Sequence, residues 1–248
     1  MKKSKKRIVY AIVLVFILIA LPLASYMYKF KSETDSMRPE ATKQIVPRVY
    51  AVKDGFVNLY LIKSDGRYIA IDAGNDPKVV LEEMATLSID PALVDAVFLT
   101  HSDGDHTGAL DSFKNATVHL PELEEQLIDG STSRFLFFGN KLDKAHTLLK
   151  DNQTLTIGNL SIRCVSTPGH TPGSMSYVIN DMYLFMGDSM SLKDGKAGLF
   201  NDTFNMDNDI QRESLKRLAK LNTITHVFTA HYGYSDNFKK VFEDFSPL

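Results

Sequence analysis

Cysteine is almost missing from this sequence: among 248 residues there is one, Cys164. A disulfide framework within the chain is thereby excluded, as is any site built from several thiolates. Also lacking is an excess of either charge. The 28 basic and 30 acidic side chains leave a formal net charge of -2, which offers no reason to expect a polyanionic partner. There is no internal repeat and no low-complexity tract. A hydrophobic content of 44% excludes a mostly disordered chain, and the length suits one good-sized domain or two small ones.

The near-neutral total is an average of two opposed parts. Residues 1–31 hold seven Lys/Arg and no acid, a charge of +7, whereas residues 32–248 hold 21 basic and 30 acidic side chains, a charge of -9. Five of the early cations lie in residues 2–7, and no charged residue follows from Ile8 to Tyr28. A helix over that stretch reaches about 31 Å, which matches a hydrocarbon core of roughly 30 Å. Residues 1–28 are therefore expected to be a cytoplasmic tip and transmembrane signal anchor. The positive-inside rule puts Met1 in the cytoplasm and the remainder outside. The alternative is a cleaved signal peptide with Leu23-Ala24-Ser25 as a poor processing site, which would release a secreted domain. The apolar run exceeds the roughly 7 to 15 residues of a signal core, which favours the anchor. Residues 29–46 are polar, contain Pro39 and show no apolar period, as expected of a linker.

From Pro47 the texture changes to short β-branched and aromatic runs, the first Val49–Val52 and the last His226–Ala230, which read as strands. Helical stretches lie between several of them, including Pro77–Leu87, Glu122–Ile128 and Asp209–Leu221. Asp209 is expected to cap the last of these, with Leu215, Leu218 and Leu221 on its apolar face. Asp65-Gly66 is the clearest hairpin turn. Residues 47–248 thus read as an α/β domain with sheet at its centre.

Directly after the apolar run ending at Thr100 comes His101-Ser102-Asp103-Gly104-Asp105-His106. Turn chemistry accounts for Asp103 or Asp105 singly. Two His and two Asp within six residues at the mouth of a buried strand point instead to a metal. Imidazole nitrogen mixed with carboxylate oxygen suits zinc, iron or manganese.

The run resembles the His-x-His-x-Asp-His signature of the metallo-β-lactamase-fold hydrolases. Three further segments resemble that family's later motifs in order: Thr167-Pro168-Gly169-His170, Gly187-Asp188-Ser189 and Ala230-His231-Tyr232-Gly233. The resemblance covers about residues 47 to 245 and is nearest to the broad group that includes glyoxalase II-like thioesterases and lactonases. It implies a four-layer αββα sandwich. It also implies two divalent metal ions, zinc first, with manganese or iron as alternatives. His101, Asp103 and His170 would hold one ion; Asp105, His106 and His231 would hold the other, with Asp188 bridging. A hydroxide shared by the pair would attack the substrate, Asp105 would orient it and handle its proton, and Tyr232 is a candidate oxyanion donor. In one place the sequence departs from the family pattern: Asp103 stands where a histidine is usual, which makes the site more oxygen-rich. A mononuclear site on Asp105, His106 and His231 stays open beside the dinuclear one.

The implied function is a membrane-anchored, extracytoplasmic, metal-dependent hydrolase of a small ester-type substrate: thioester, lactone, carboxylic or phosphate ester. One alternative is a metal-dependent phosphodiesterase or nuclease related to the DNA-uptake channel domain, which the acidic charge and the lack of a basic stripe disfavour. Another is a non-catalytic metal-binding sensor or scaffold, disfavoured because all seven positions carry competent ligands. No nucleic-acid partner is favoured, and the sequence leaves the oligomeric state open. His119, His146 and His226 read as satisfied or surface histidines, and Cys164 as a buried core residue. Met182 and Met186 are expected to pack around Asp188, and Gly55 to form a hairpin loop over the site. Two loops stand out as pocket candidates: Ser131 to Asn140, with Phe135, Phe137 and Phe138, and Ser191 to Met206.

Overall fold

The structure is a computed structural model that describes residues 2–135, 138–201 and 203–245, leaving the side chains of residues 2–5, 8 and 9 undescribed. Phe137 and Met1 lie outside the described residues. The chain divides into two units, Met1–Met37 and Arg38–Leu248.

In the first unit, α1 (Lys2–Ser36) is a single helix, and its Tyr10–Ser36 portion is long and apolar enough to cross a bilayer. Leu14, Phe16, Leu18 and Leu21 are all exposed on it, the pattern of a helix whose surroundings are themselves apolar. The helix continues past Tyr28 into residues expected to form a linker. Lys31 and Asp35 pair at i,i+4, which supports the extra turns, and no helix breaker intervenes before Pro39.

The second unit rests on two sheets. The first comprises β1 (Lys43–Val46), β2 (Val49–Asp54), β3 (Val57–Ser64), β4 (Arg67–Ile71), β5 (Val94–Phe98), β6 (Thr117–Pro121) and β7 (His146–Leu149), paired in that order. Pairing is antiparallel from β1 to β4 and parallel from β4 to β7. The second sheet contains β8 (Thr154–Ile157), β9 (Leu160–Ser166), β10 (Met175–Ile179) and β11 (Tyr183–Phe185). A separate hairpin of β12 (Ser191–Lys193) and β13 (Lys196–Gly198) follows. Then β14 (His226–Phe228) joins the second sheet parallel to β11, with β15 (Tyr234–Ser235) at its edge. The helices of this unit are α2 (Pro77–Thr86), α3 (Gly104–Thr107), α4 (Glu125–Ile128), α5 (Asn208–Leu218) and α6 (Phe238–Val241).

Alternation along the strands sorts the core into three slabs. Tyr60, Ile62, Ile69, Ile71 and Phe98 of the first sheet meet Ile162, Cys164, Tyr177, Phe185 and Phe228 of the second. Leu59, Leu61, Ala70 and Val97 face the opposite way, against Val80 and Met84 of α2. Val178, Leu184 and Val227 pack on Leu215 and Leu218 of α5 and on Phe238 and Val241 of α6. Strands buried on both faces explain the near-continuous apolar runs, and the layering is the expected αββα order. Cys164 is fully buried, and burial pushes its thiol up to about 12, in keeping with a core residue.

The parallel strands end at one edge, and there the sheets are stitched together by polar bonds. The Tyr177 hydroxyl donates to the Leu99 carbonyl and the Tyr60 hydroxyl to that of Thr229. Backbone N–H groups of Met175 and Asn58 donate to Thr100 and Ala230. The loops that leave this edge carry the candidate ligands.

Several local details differ from expectation. Lys43–Val46 is a strand within the expected linker, because it finds an edge on β2. His146 opens a strand where a helical or loop stretch is expected, its ring bonded to Glu125 and to the Lys144 carbonyl. The α5 cap is Asp207, whose extended backbone lets its carboxylate accept from the Ile210 N–H; Asp209 lies inside the first turn. Met182 is exposed, whereas Met186 is buried. Asp65 and Gly66 both take positive φ, 47° and 85°, the geometry of the anticipated hairpin turn.

Phe228 stacks on Phe185 at 4.6 Å and packs edge-on against Tyr60. Phe228→Ala is expected to cost about 3–5 kcal/mol, whereas Leu148→Ala, on an exposed side chain, stays within about 0.5 kcal/mol. Urea unfolding of the purified variants measures both.

Candidate metal centre

Four imidazoles converge at this edge, each held by its Nδ1. His106 Nδ1 lies 2.9 Å from Asp72 Oδ2. His231 Nδ1 donates to the Phe56 carbonyl at 2.8 Å, and His170 Nδ1 to Asn205 Oδ1 at 3.2 Å. His101 Nδ1 is 3.0 Å from Thr100 Oγ1; that hydroxyl gives its own proton to Asp72 and so accepts from the ring. With every Nδ1–H engaged outward, Nε2 is the ring nitrogen left facing inward, the one that offers its lone pair once a metal displaces any proton on it.

Among these groups lie Asp103, Asp105 and Asp188. Burial pushes the Asp188 carboxyl up, but the His231 and His106 charges outweigh it and hold the group well below the usual carboxylate range. Burial likewise opposes protonation of His106, yet Asp188, Asp72 and Asp105 hold its imidazole well above the ordinary value. His231 is raised for the same reason, against its burial. The pocket thus has a strongly negative potential. Three buried atoms in it, His101 Nε2, His106 Nε2 and Asp188 Oδ1, have no hydrogen-bond partner. Leaving such atoms unmatched is costly unless a cation sits among them.

The spacing supports that cation. His106 Nε2 and His231 Nε2 lie 3.4 and 3.2 Å from Asp188 Oδ1, and 3.7 and 3.4 Å from Asp105 Oδ2. A tetrahedron with metal–ligand bonds of about 2.0–2.1 Å has edges of roughly 3.3–3.4 Å. The ligand atoms of Asp105, His106 and His231 all lie within 4.8 Å of one another and could hold a divalent ion, with Asp188 against both imidazoles; His101, His106 and Asp188 form a second such group. On the other side, His101 Nε2 and His170 Nε2 lie 3.5 and 3.2 Å from Asp103 Oδ2, but a guanidinium is already there. Arg134 bonds both Asp103 oxygens and brings Nη2 to 3.0 Å from His170 Nε2. Burial raises the Asp103 carboxyl, and the His101 and His170 imidazoles and the Arg134 guanidinium beside it more than reverse this, holding it well below its ordinary range.

All seven ligands expected from the sequence come together here. Several residues that position them carry no comparable signal in the sequence. Asp72 ends β4 and serves both His106 and Thr100. Glu124, fully buried, accepts from the Ser102 N–H and hydroxyl, the Thr171 hydroxyl and the Gly173 N–H. It thereby ties the His101 loop to the His170 loop. Asn205, from the second candidate loop, holds His170 and is itself held by Gln211 of α5; the same loop brings Phe200 to 5.0 Å from His170 and 5.5 Å from His231. Gly187 is required beside Asp188: its φ is +51°, and a Cβ would lie 2.4 Å from Thr100 Oγ1.

The Gly55 hairpin forms as expected and lays Phe56 over His231, with ring centroids 5.7 Å apart. Tyr232 is buried edge-on against Phe200. Phe135 and Phe138 pair with each other in an isolated antiparallel bridge and are exposed. His119 stacks on Phe98 and bonds Thr147, a satisfied histidine; burial lowers its pKa.

Removing an outer partner of a metal-binding histidine typically weakens the metal about 10–100-fold. Asp72→Ala is expected to do so by freeing both His106 and Thr100, and competition with a chromogenic chelator measures it.

Comparison with known proteins agrees with this geometry. The sequence model of the metallo-beta-lactamase superfamily matches residues 52–231. A probable metallo-hydrolase of Methanocaldococcus jannaschii is 30% identical over 62% of this chain and 65% of its own length. A hydroxyacylglutathione hydrolase of Aeromonas hydrophila is 30% identical over 74% of this chain and 63% of its own. The chain therefore spans a little under two thirds of either relative. Among solved structures, a Cronobacter sakazakii metallo-beta-lactamase aligns with TM-score 0.61 at 21% identity, covering 80% of this chain and 81% of that one; at that identity the likeness is one of fold. With a superfamily match over most of its length and imidazoles and carboxylates converging where its two sheets meet, the chain belongs to the metallo-beta-lactamase superfamily.

Proposed function

We propose that this protein is a metal-dependent hydrolase of small ester-type substrates, whether thioester, lactone, carboxylic or phosphate ester. The observation that carries the proposal is the set of three buried, unpartnered atoms aimed into a carboxylate-lined pocket whose imidazoles are all fixed with Nε2 inward. The hydrolase names of the two curated relatives support it. Mixed nitrogen and oxygen donors suit zinc first, with manganese or iron next.

A divalent ion bound there supplies Lewis acidity and lowers the pKa of water towards neutrality. The chain's own groups do the rest. Asp188, nearly buried, keeps a fixed negative charge between His106 and His231. Asp105 has its side chain 22% exposed against 5% for Asp188, so it is the ligand carboxylate open to solvent and suited to take a proton from attacking water. Tyr232, next to His231 and packed on Phe200, is assigned to the developing oxyanion. Phe56 stacked over His231 covers one side, and Phe200 packs edge-on against His170 and close to His231. These rings favour a substrate with an apolar part beside its scissile bond.

The length and composition of α1 support a membrane anchor, and the five cations before Ile8 support a cytoplasmic N-terminus with the hydrolase unit outside. In intact spheroplasts, external protease is then expected to digest the hydrolase unit; full protection would reverse the orientation.

A panel of thioesters, lactones, carboxylic esters and phosphodiesters, run on the zinc- or manganese-loaded chain, tests the chemistry. Turnover of at least one ester class is expected, with kcat/KM falling about 10²-fold or more in Asp105→Ala and plasmid DNA left intact. Equal inactivity of the metal-loaded wild type and Asp105→Ala across the panel would sink the proposal.

A further inference from the structure

The two halves of the cluster differ in one respect: the half built on Asp105, His106 and His231 has open donor atoms, whereas the half built on Asp103 and His170 already holds a cation. We propose that Arg134 is a built-in substitute for one metal ion, so that the chain loads a single divalent ion, at Asp105, His106 and His231, beside Asp188. This rests on the metal-centre reading above and goes beyond it in fixing the number of ions and what balances the charge elsewhere.

Three observations carry it. Arg134 takes up the donor atoms that a metal ion would need. Its Nε and Nη2 reach Asp103 Oδ1 and Oδ2 at 2.7 and 2.6 Å, and Asn140 Nδ2 adds a bond to Oδ1 at 2.8 Å. Nη2 also lies 3.0 Å from His170 Nε2, whose Nδ1–H is committed to Asn205, so the guanidinium donates to the very lone pair a metal would use. By contrast His106 Nε2 and Asp188 Oδ1 have no partner.

The arginine is also held in place. Its side chain is only 14% exposed. Its backbone N–H donates to the Phe138 carbonyl at 2.7 Å. The planar fork meets a carboxylate in the bidentate manner that makes arginine the preferred partner for such groups.

Charge balance agrees. The carboxylates of Asp103, Asp105 and Asp188 neutralise one divalent ion and one guanidinium together. A second divalent ion would leave two positive charges in surplus, within a few ångströms of each other in a buried site. His101 Nε2 lies 3.5 Å from Asp103 Oδ2 and has no hydrogen-bond partner.

Metal counting on the full chain in detergent, by elemental analysis after dialysis and by titration with zinc and with manganese, decides the matter without reference to turnover. One equivalent is expected for the wild type and for Arg134→Lys, which keeps a cation. Arg134→Ala is expected to gain a second equivalent, and His231→Ala to lose the first. Thermal unfolding of each variant shows that it is folded when counted. Two equivalents in wild type would overturn this inference and leave the metal centre standing. So would an Arg134→Ala protein that stays at one. No bound metal in folded wild type would remove the metal-centre reading and this inference with it. Should Arg134→Ala fail to fold, the wild-type count still stands as the deciding measurement.

Discussion

The Asp72 carboxylate is the group on which the site geometry depends. It sits in the left-handed backbone region, φ +61°, at the end of β4. From there it takes the Thr100 N–H, the Thr100 hydroxyl and the His106 Nδ1–H. An aspartate tolerates that backbone better than most residues. The reach it gains fixes two imidazoles at once, His106 directly and His101 through the threonine hydroxyl. Because Asp72 closes one parallel strand and Thr100 follows its neighbour, the sheet pairing itself sets the separation of these two rings.

Around that hub the protein keeps an unusual density of acid away from water. Asp72, Glu124 and Asp188 are all nearly or fully buried. Such burial is costly unless every charge is hydrogen-bonded or opposed. Glu124 is met wholly by N–H and hydroxyl donors, and it locks two ligand loops together. Asp188 is left with one oxygen unmatched. The outer network thus spends its hydrogen bonds on rigidity, and the unmet demand is concentrated at the points where a cation enters.

Much of this was readable in the chain and some of it was not, for identifiable reasons. The seven candidate ligands stand in short motifs at strand ends, and strand ends of parallel pairs must gather at one edge; order and residue type were enough to expect them side by side. The strands buried on both faces were equally plain as apolar runs. Asp72 and Glu124 were not, since an acid after a strand or in a short helix is common and only its donors distinguish it. Asp103 was recognised as a departure from the family pattern, yet its partner was invisible. Arg134 lies 31 residues away in a loop whose phenylalanines drew the attention.

The bare chain, through composition and order, establishes an acidic α/β unit behind a cationic apolar helix, and a set of imidazoles and carboxylates able to bind metal. Those properties follow from periodicity and local chemistry, which act over a few residues. Which Nε2 lone pairs face inward, which donors remain unmatched and that a guanidinium reaches Asp103 and His170 all depend on contacts between distant segments. Such contacts arise only when the two sheets pack and bring their loops to a common edge, so they belong to the folded molecule alone.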